Sequence, residues 1–173
     1  TGYVEVMPGQ SIRYDFSGIA NNSTTSLTSF YWRDTLPTQA IRLDKIITGT
    51  YNVNGSYKVV YQTNLSGGTW RTMYDNLNTR QNYTLDASPA ALGLASNEYV
   101  TAFMVSFGVV PANFRQVEAP QVYCTVVSQL ASGTQFTNQA DVGGVYDGQW
   151  IMATSRWVTR VYKPSQPLPR TGY

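Results

Sequence analysis

Short runs in which apolar and polar residues alternate, separated by turn residues about every ten positions, constrain the fold of this chain more than any other feature. Such alternation is typical of β-strands that bury one face and expose the other. The clearest runs are residues 11–16, 57–63 and 98–110. Turn residues such as Asn54-Gly55 and Ser132-Gly133 lie between runs. The pattern predicts an all-β fold in which successive strands form an antiparallel meander.

Two segments depart from this alternation. Residues 88–94 begin with Ser88, a good N-cap, followed by Pro89 at the first helical position, and they predict the only helix, a short one. Residues 143–148 are rich in glycine and predict a loop. A final hairpin is expected after that loop, formed by residues 150–153 and 157–162.

Composition excludes several classes of function. The net charge is +2 with no basic run, which argues against a nucleic-acid partner, and no run approaches the ~20 apolar residues of a membrane span. The chain has no histidine and a single cysteine, so Ser-His and Cys-His nucleophile pairs, histidine metal sites and an internal disulfide are all absent. The ten Asp and Glu residues form no dense Asp-x-Asp-x-Asp loop, and their spacing picks out no catalytic pair. We expect no cofactor, no metal and no enzymatic activity.

The C-terminal residues carry a recognisable motif. Leu168, Pro169, Arg170, Thr171 and Gly172 follow a proline-rich spacer, and they resemble the LPxTG sorting signal of Gram-positive surface proteins. The resemblance implies that a sortase cleaves after the threonine and joins its carbonyl to an amine of cell-wall peptidoglycan. The signal must be extended to enter a sortase cleft, and proline in the spacer favours that geometry.

This resemblance also implies a location and a division of the chain. The protein is expected to be secreted and anchored to the cell wall, with residues 1–163 as the surface domain and residues 164–173 as the sorting tail. Sorted proteins carry a hydrophobic span and a basic tail after the motif, so we expect the sequence to belong to a longer chain whose only membrane contact is that removed span. The N-terminal signal peptide is expected to lie upstream.

The body of the chain carries a second resemblance. Residues 6–14 read V-M-P-G-Q-S-I-R-Y, residues 21–23 read N-N-S and residues 32–37 read W-R-D-T-L-P. These motifs resemble the start of the conserved-repeat domains of bacterial surface proteins. The family implies an immunoglobulin-like sandwich with a structural role, here a wall-proximal stalk domain of an adhesin. The alternatives are a module that binds a glycan or a host protein, and a pilin-like subunit joined through Lys163.

Similar surface domains contain internal covalent bonds, and this sequence offers candidates for two of them. An isopeptide bond would join Lys45 or Lys58 to Asn138 with the help of Glu118, because the reaction needs a desolvated amine beside an amide and a protonated acid. The alternative is that both lysines face solvent on strands.

A thioester would join the second pair of candidates, Cys124 and Gln39. The aromatic context expected after that glutamine is absent, and a free cysteine in a strand is more often a buried core residue.

The aromatic residues suggest a further alternative. The chain has 13 tyrosines and four tryptophans, and aromatic side chains on one sheet face would form a platform for stacking a glycan. The same residues equally suit the core and cross-strand pairs of a sandwich. The tryptophans in question are Trp32, Trp70, Trp150 and Trp157.

Overall fold

A computed structural model describes residues 3–164 as eleven strands and one short helix. The elements in chain order are β1 (Tyr3–Val6), β2 (Ser11–Asp15), β3 (Leu27–Thr35), β4 (Ile41–Ile47), β5 (Ser56–Thr63), β6 (Arg71–Asn78), β7 (Thr84–Asp86), α1 (Pro89–Leu92), β8 (Val100–Val110), β9 (Gln121–Val126), β10 (Gln135–Tyr146) and β11 (Gln149–Val161). Among these residues no helix is long and apolar enough to cross a membrane.

The strands form two sheets that enclose one hydrophobic core. The larger sheet has the order β1-β11-β10-β3-β8-β5-β6, and the smaller has the order β2-β9-β4-β7. Neighbouring strands are antiparallel except for β1 and β11, which run parallel. The prediction of an all-β sandwich with one short helix is therefore confirmed at the level of two packed sheets.

Trp32 occupies the centre of the core. It lies on β3, in the middle of the larger sheet, and its side chain is fully buried. Its ring packs 5.0 Å from Phe16 and 5.5 Å from Phe103. Its indole N–H donates to the hydroxyl of Tyr51 at 3.0 Å, and that hydroxyl donates to the Thr48 carbonyl at 2.8 Å. Every polar atom that these two rings bury is thus paired, as burial requires.

The N-terminal segment passes from one sheet to the other. β1 belongs to the larger sheet and β2 to the smaller, and a turn at Pro8-Gly9 joins them. Gly9 has φ of 79° and donates its N–H to the Val126 carbonyl at 2.8 Å. Glycine takes this backbone conformation without steric strain, so the chain can switch sheets within four residues.

The end of the chain differs from the sequence-based expectation. The prediction of a loop at residues 143–148 is wrong. β10 continues through Gly143 and Gly144 to Tyr146, and only residues 147–148 form a turn. β11 is one strand of 13 residues that pairs with β10 along its length. Gly143 is needed there for space, since a Cβ atom on it would lie 2.5 Å from the Ile151 carbonyl oxygen and 3.0 Å from the Tyr31 hydroxyl.

The predicted helix is present as a single turn. Ser88 caps it by accepting a hydrogen bond from the Ala91 N–H at 3.3 Å, Pro89 begins it, and Gly93 ends it with φ of 64°. This agreement reflects purely local signals, because capping side chains and a left-handed glycine set the bounds of a helix without help from distant residues.

Candidate functional site

A carboxyl group and an amide are buried together inside the sandwich. Asp34 on β3 and Asn138 on β10 both have no exposed surface, and the Asn138 Nδ2 donates to Asp34 Oδ2 at 2.9 Å. The other oxygen of each group, Asp34 Oδ1 and Asn138 Oδ1, has no hydrogen-bond partner. An unpaired polar atom in a core costs about 1–3 kcal/mol, so this pair needs one more hydrogen bond to be satisfied.

Protonation of Asp34 removes the charge from this buried site. Burial raises the pKa of this carboxyl to about 7, against the lowering effect of the Asn138 hydrogen bond and with a further raising effect from Asp141. A protonated carboxyl carries one O–H donor, whereas an ionised carboxylate can only accept hydrogen bonds. The neutral form therefore adds a donor to a site that has two unpaired oxygens, and it leaves no charge in the core.

The predicted isopeptide partners of Asn138 are exposed, whereas Asn138 itself is fully buried. Lys45 is exposed, with its Nζ 4.4 Å from the centre of the Tyr123 ring, and Lys58 is exposed on β5. Glu118 is also exposed, in the segment before β9. Sequence reasoning singled out the amide and missed its acid partner, because Asp34 is 104 positions away along the chain.

The two thioester candidates also differ in their exposure to solvent. Cys124 is fully buried on β9, where its strand neighbours are Ile12 and Leu43, and burial raises the pKa of its thiol well above the usual value. Gln39 is exposed. A thiol that stays protonated and has no access to solvent is a poor nucleophile.

The outer face of the larger sheet carries an aromatic groove of about 350 Å³. Tyr31 forms part of its floor, and Trp150 meets that ring edge to face with centroids 6.2 Å apart. Trp70 also lines the groove, from the residue just before β6. Met104 and the hydroxyl side chains of Ser29 and Ser106 complete the lining with Arg33.

An ion pair forms one wall of this groove. Arg33 donates from Nη2 to Asp141 at 2.7 Å, and its guanidinium lies 5.4 Å from the Tyr31 ring centre. Burial of Asp141 raises its pKa, but hydrogen bonds from Arg33 and Thr154 outweigh that effect and hold the pKa below its usual value. The groove therefore presents aromatic faces and hydroxyls around a neutralised charge, which suits an uncharged polar ligand.

The four tryptophans divide between the core and this surface. Trp32 is buried in the core, and Trp157 is partly buried there, 5.2 Å from the Phe16 ring. Trp150 is 67% exposed and Trp70 is partly exposed. Of the four tryptophans considered for a glycan platform, two therefore line this groove, together with Tyr31. Side chains alternate between the two faces of a strand, so the sequence could have distinguished the buried from the exposed tryptophans. That distinction required the bounds of the strands to be predicted correctly.

The predicted sorting signal, residues 168–172, lies outside the described residues. No family model matches the chain, and no curated protein matches it. A solved structure described as "AvmM Catalyzes Macrocyclization in Alchivemycin A Biosynthesis" aligns over 98% of this chain and 88% of that chain, with 8% identity and a TM-score of 0.33. A similarity this low carries no argument about fold or function.

The buried pair predicts a dependence of stability on pH. The Asp34 carboxyl ionises near pH 3.8 when unfolded and near pH 7 when folded, so unfolding releases a proton between these values. Rising pH therefore lowers the unfolding free energy, by on the order of 4 kcal/mol in total above pH 7. Denaturant titrations from pH 4 to pH 8 measure this change in the unfolding free energy.

Asp34→Asn provides the control for this prediction. It keeps a neutral hydrogen-bonding group at the site, so its stability relative to the wild type should rise steadily between pH 4 and pH 8. The lowered pKa of Asp141 acts in the opposite sense in both proteins and cancels in the difference. A difference that does not change with pH would mean that Asp34 stays charged in the core.

Proposed function

We propose that this chain is a wall-anchored stalk domain, an immunoglobulin-like sandwich that sortase joins to cell-wall peptidoglycan through Thr171. In this role the domain is a substrate of sortase and not a catalyst, and it holds more distal parts of a secreted surface protein away from the wall. The sorting motif supports the anchoring. The pairing of the first and last strands supports the load-bearing role.

The terminal strands β1 and β11 are parallel neighbours. Tyr3 pairs with Val158 and Val6 pairs with Val161, so the chain enters and leaves the sheet along adjacent strands that point the same way. Force applied to the two ends pulls these strands past each other along their axes. All of the hydrogen bonds between them then share the load, whereas a hairpin pulled open at its end breaks its bonds one at a time.

The switch of the N-terminal segment between the two sheets supports the finer assignment to the immunoglobulin-like class. β1 pairs with the last strand in one sheet, and β2 pairs with β9 in the other. Because the N-terminal segment is hydrogen-bonded to both sheets, a force applied to it acts on both sheets.

Anchoring is tested by transpeptidation in solution. We expect a purified sortase of the LPxTG-cleaving class, given an oligoglycine peptide, to replace Gly172 and Tyr173 with that peptide, as measured by intact mass. Thr171→Ala should abolish the product because it changes the residue that is acylated, and Gln166→Ala in the spacer should not. A protein that stays intact with several sortases would contradict the proposal.

The load-bearing role is tested by pulling single molecules from both ends. The Tyr162 N–H donates to the Val6 carbonyl at 2.6 Å, and the alternation of a parallel ladder then directs the Val4 N–H toward β11 and the Glu5 N–H away from it. Val4→Pro removes a bond worth about 1 kcal/mol and should raise the forced unfolding rate about fivefold.

Glu5→Pro is the matched control for that experiment. Val4 and Glu5 are both exposed, and both substitutions fix the backbone in the same way, but only one removes a bond to β11. Equal unfolding forces in the wild type and Val4→Pro would show that the terminal strands do not carry the load.

The aromatic groove favours a second candidate function, the binding of a neutral glycan. Sugar rings present apolar C–H faces that stack on indole and phenol rings, while their hydroxyls bond to polar groups at the rim. Trp150, Tyr31 and Trp70 supply the rings, and Ser29 and Ser106 supply hydroxyls. A stalk with this groove would also contribute to adhesion.

Glycan binding is tested with an array of neutral oligosaccharides, followed by titration of any hit with tryptophan fluorescence as the readout. Trp150→Ala and Trp70→Ala should each weaken binding at least tenfold, since each loses a stacking surface. Leu65→Ala is the control, because Leu65 is 53% exposed and does not line the groove. An array without any hit would overturn this second function.

A further inference from the structure

The aromatic groove has an indole on each of two opposite sides. Trp150 borders it from β11, and Trp70 borders it from the residue just before β6. In the order of the larger sheet, four strands lie between β11 and β6, namely β10, β3, β8 and β5. The two indoles therefore approach the groove from opposite directions, and a ligand that contacts both must extend across the sheet.

The floor of the groove lies on the two strands at the middle of this span. Tyr31 and Arg33 come from β3, and Met104 and Ser106 come from β8. Both strands are hydrogen-bonded to a neighbour on each side, and Tyr31 is only 8% exposed. The floor is therefore held in place before any ligand arrives, which lowers the entropic cost of binding.

Arg33 is the charged residue of this floor, and Asp141 fixes its position. Its Nε and Nη2 donate to Asp141 Oδ2 at 3.3 Å and 2.7 Å, and the other oxygen of Asp141 accepts from Thr154 at 2.7 Å. Among the described residues, these bonds leave the two N–H donors of Nη1 for a ligand. A guanidinium held in this way can donate to adjacent hydroxyl oxygens of a sugar without first changing its conformation.

A left-handed residue adds a hydroxyl to the groove. Ser29 has φ of 50°, a backbone conformation that residues other than glycine adopt at a cost. The register between β3 and β8 shifts between Leu27 and Phe30, on either side of this serine. Irregularities of this kind re-aim a side chain, and the side chain concerned lines the groove. The cost is borne at a residue that a ligand would contact.

These features select an extended neutral oligosaccharide. The rings of Tyr31 and Trp150 are inclined by 63°, so one flat sugar ring can stack on only one of them. In a β-1,4-linked chain, successive sugar rings turn their apolar faces in opposite directions. Neighbouring units of such a chain can therefore stack on indoles that stand on opposite sides of a groove, while their hydroxyls meet the polar groups of its floor.

We propose that the aromatic groove binds a neutral β-1,4-linked oligosaccharide of at least two units, which extends across the sheet from Trp150 to Trp70 and is oriented by Arg33 and Ser29. This assignment rests on the glycan-binding function proposed above, and it adds the length, the linkage and the orienting side chains. It does not depend on the anchoring by sortase.

The first test is the dependence of affinity on ligand length. The probes are glucose and N-acetylglucosamine, each as the monosaccharide and as β-1,4-linked oligomers up to the hexasaccharide, titrated with tryptophan fluorescence as the readout. For at least one series, affinity should rise by a factor of about ten or more from the monosaccharide to the tetrasaccharide, because only the longer ligand reaches both indoles. The α-1,4-linked glucose tetrasaccharide should bind about tenfold more weakly than its β-1,4-linked isomer.

Two tryptophan variants test whether both sides contribute. In Trp70→Ala and in Trp150→Ala, the gain in affinity from the monosaccharide to the tetrasaccharide should fall about tenfold, since each variant keeps one stacking surface. A groove that is merely distorted would lose affinity for every length alike. Thermal melts confirm that each variant is folded.

The orienting residues are tested on the tetrasaccharide. Arg33→Lys keeps the charge but loses the planar donors, and it should weaken binding about tenfold. Arg13→Lys is the matched control, because Arg13 forms an exposed ion pair with Asp15 on the smaller sheet, and it should bind as the wild type does. Ser29→Gly should bind more weakly without melting at a lower temperature, because glycine takes a positive φ without strain.

The outcomes separate this assignment from the function it rests on. Equal affinity for one unit and four, or a loss in the tryptophan variants that is the same at every length, would overturn the assignment and leave glycan binding in place. Binding of neither series at any length would also overturn it, and the glycan array then decides independently whether the groove binds another sugar.

Discussion

The sandwich depends on one buried hydrogen-bond chain, from the Trp32 indole through the Tyr51 hydroxyl to the Thr48 carbonyl. Trp32 belongs to the larger sheet, and residues 48–51 follow the strand β4 of the smaller sheet. These two hydrogen bonds therefore link the two sheets at a fixed distance. The aromatic rings of Phe16, Phe103 and Phe114 pack directly against Trp32 and Tyr51.

The buried pair of Asp34 and Asn138 represents the opposite situation, a polar contact that leaves two buried oxygens unpaired. Its acid shares a hydrogen bond through one oxygen and leaves the other unpaired. A core can hold such a group when the carboxyl stays neutral, because an ionised carboxylate there has neither solvent nor a cation to stabilise it. The exposed lysines cannot supply that charge.

The last strand, β11, takes part in three features that the structure places side by side. Its C-terminal end pairs with β1, its N-terminal end carries Trp150 at the aromatic groove, and its length between them pairs with β10. One long strand can serve all three because its two faces and its edge point in different directions. Gly143 on β10 has no side chain, so the Ile151 backbone and the Tyr31 ring can both lie close to it.

The sequence by itself determined what depends on neighbours along the chain. Alternation predicted the β class, and Ser88 with Pro89 predicted the helical turn, because capping and strand periodicity are local. Only the tertiary structure decided which residues meet across the sandwich. It paired Asn138 with Asp34, placed Trp32 inside and Trp150 outside, and kept Gly143 within a strand. Such contacts depend on strand order and register, which no local pattern encodes.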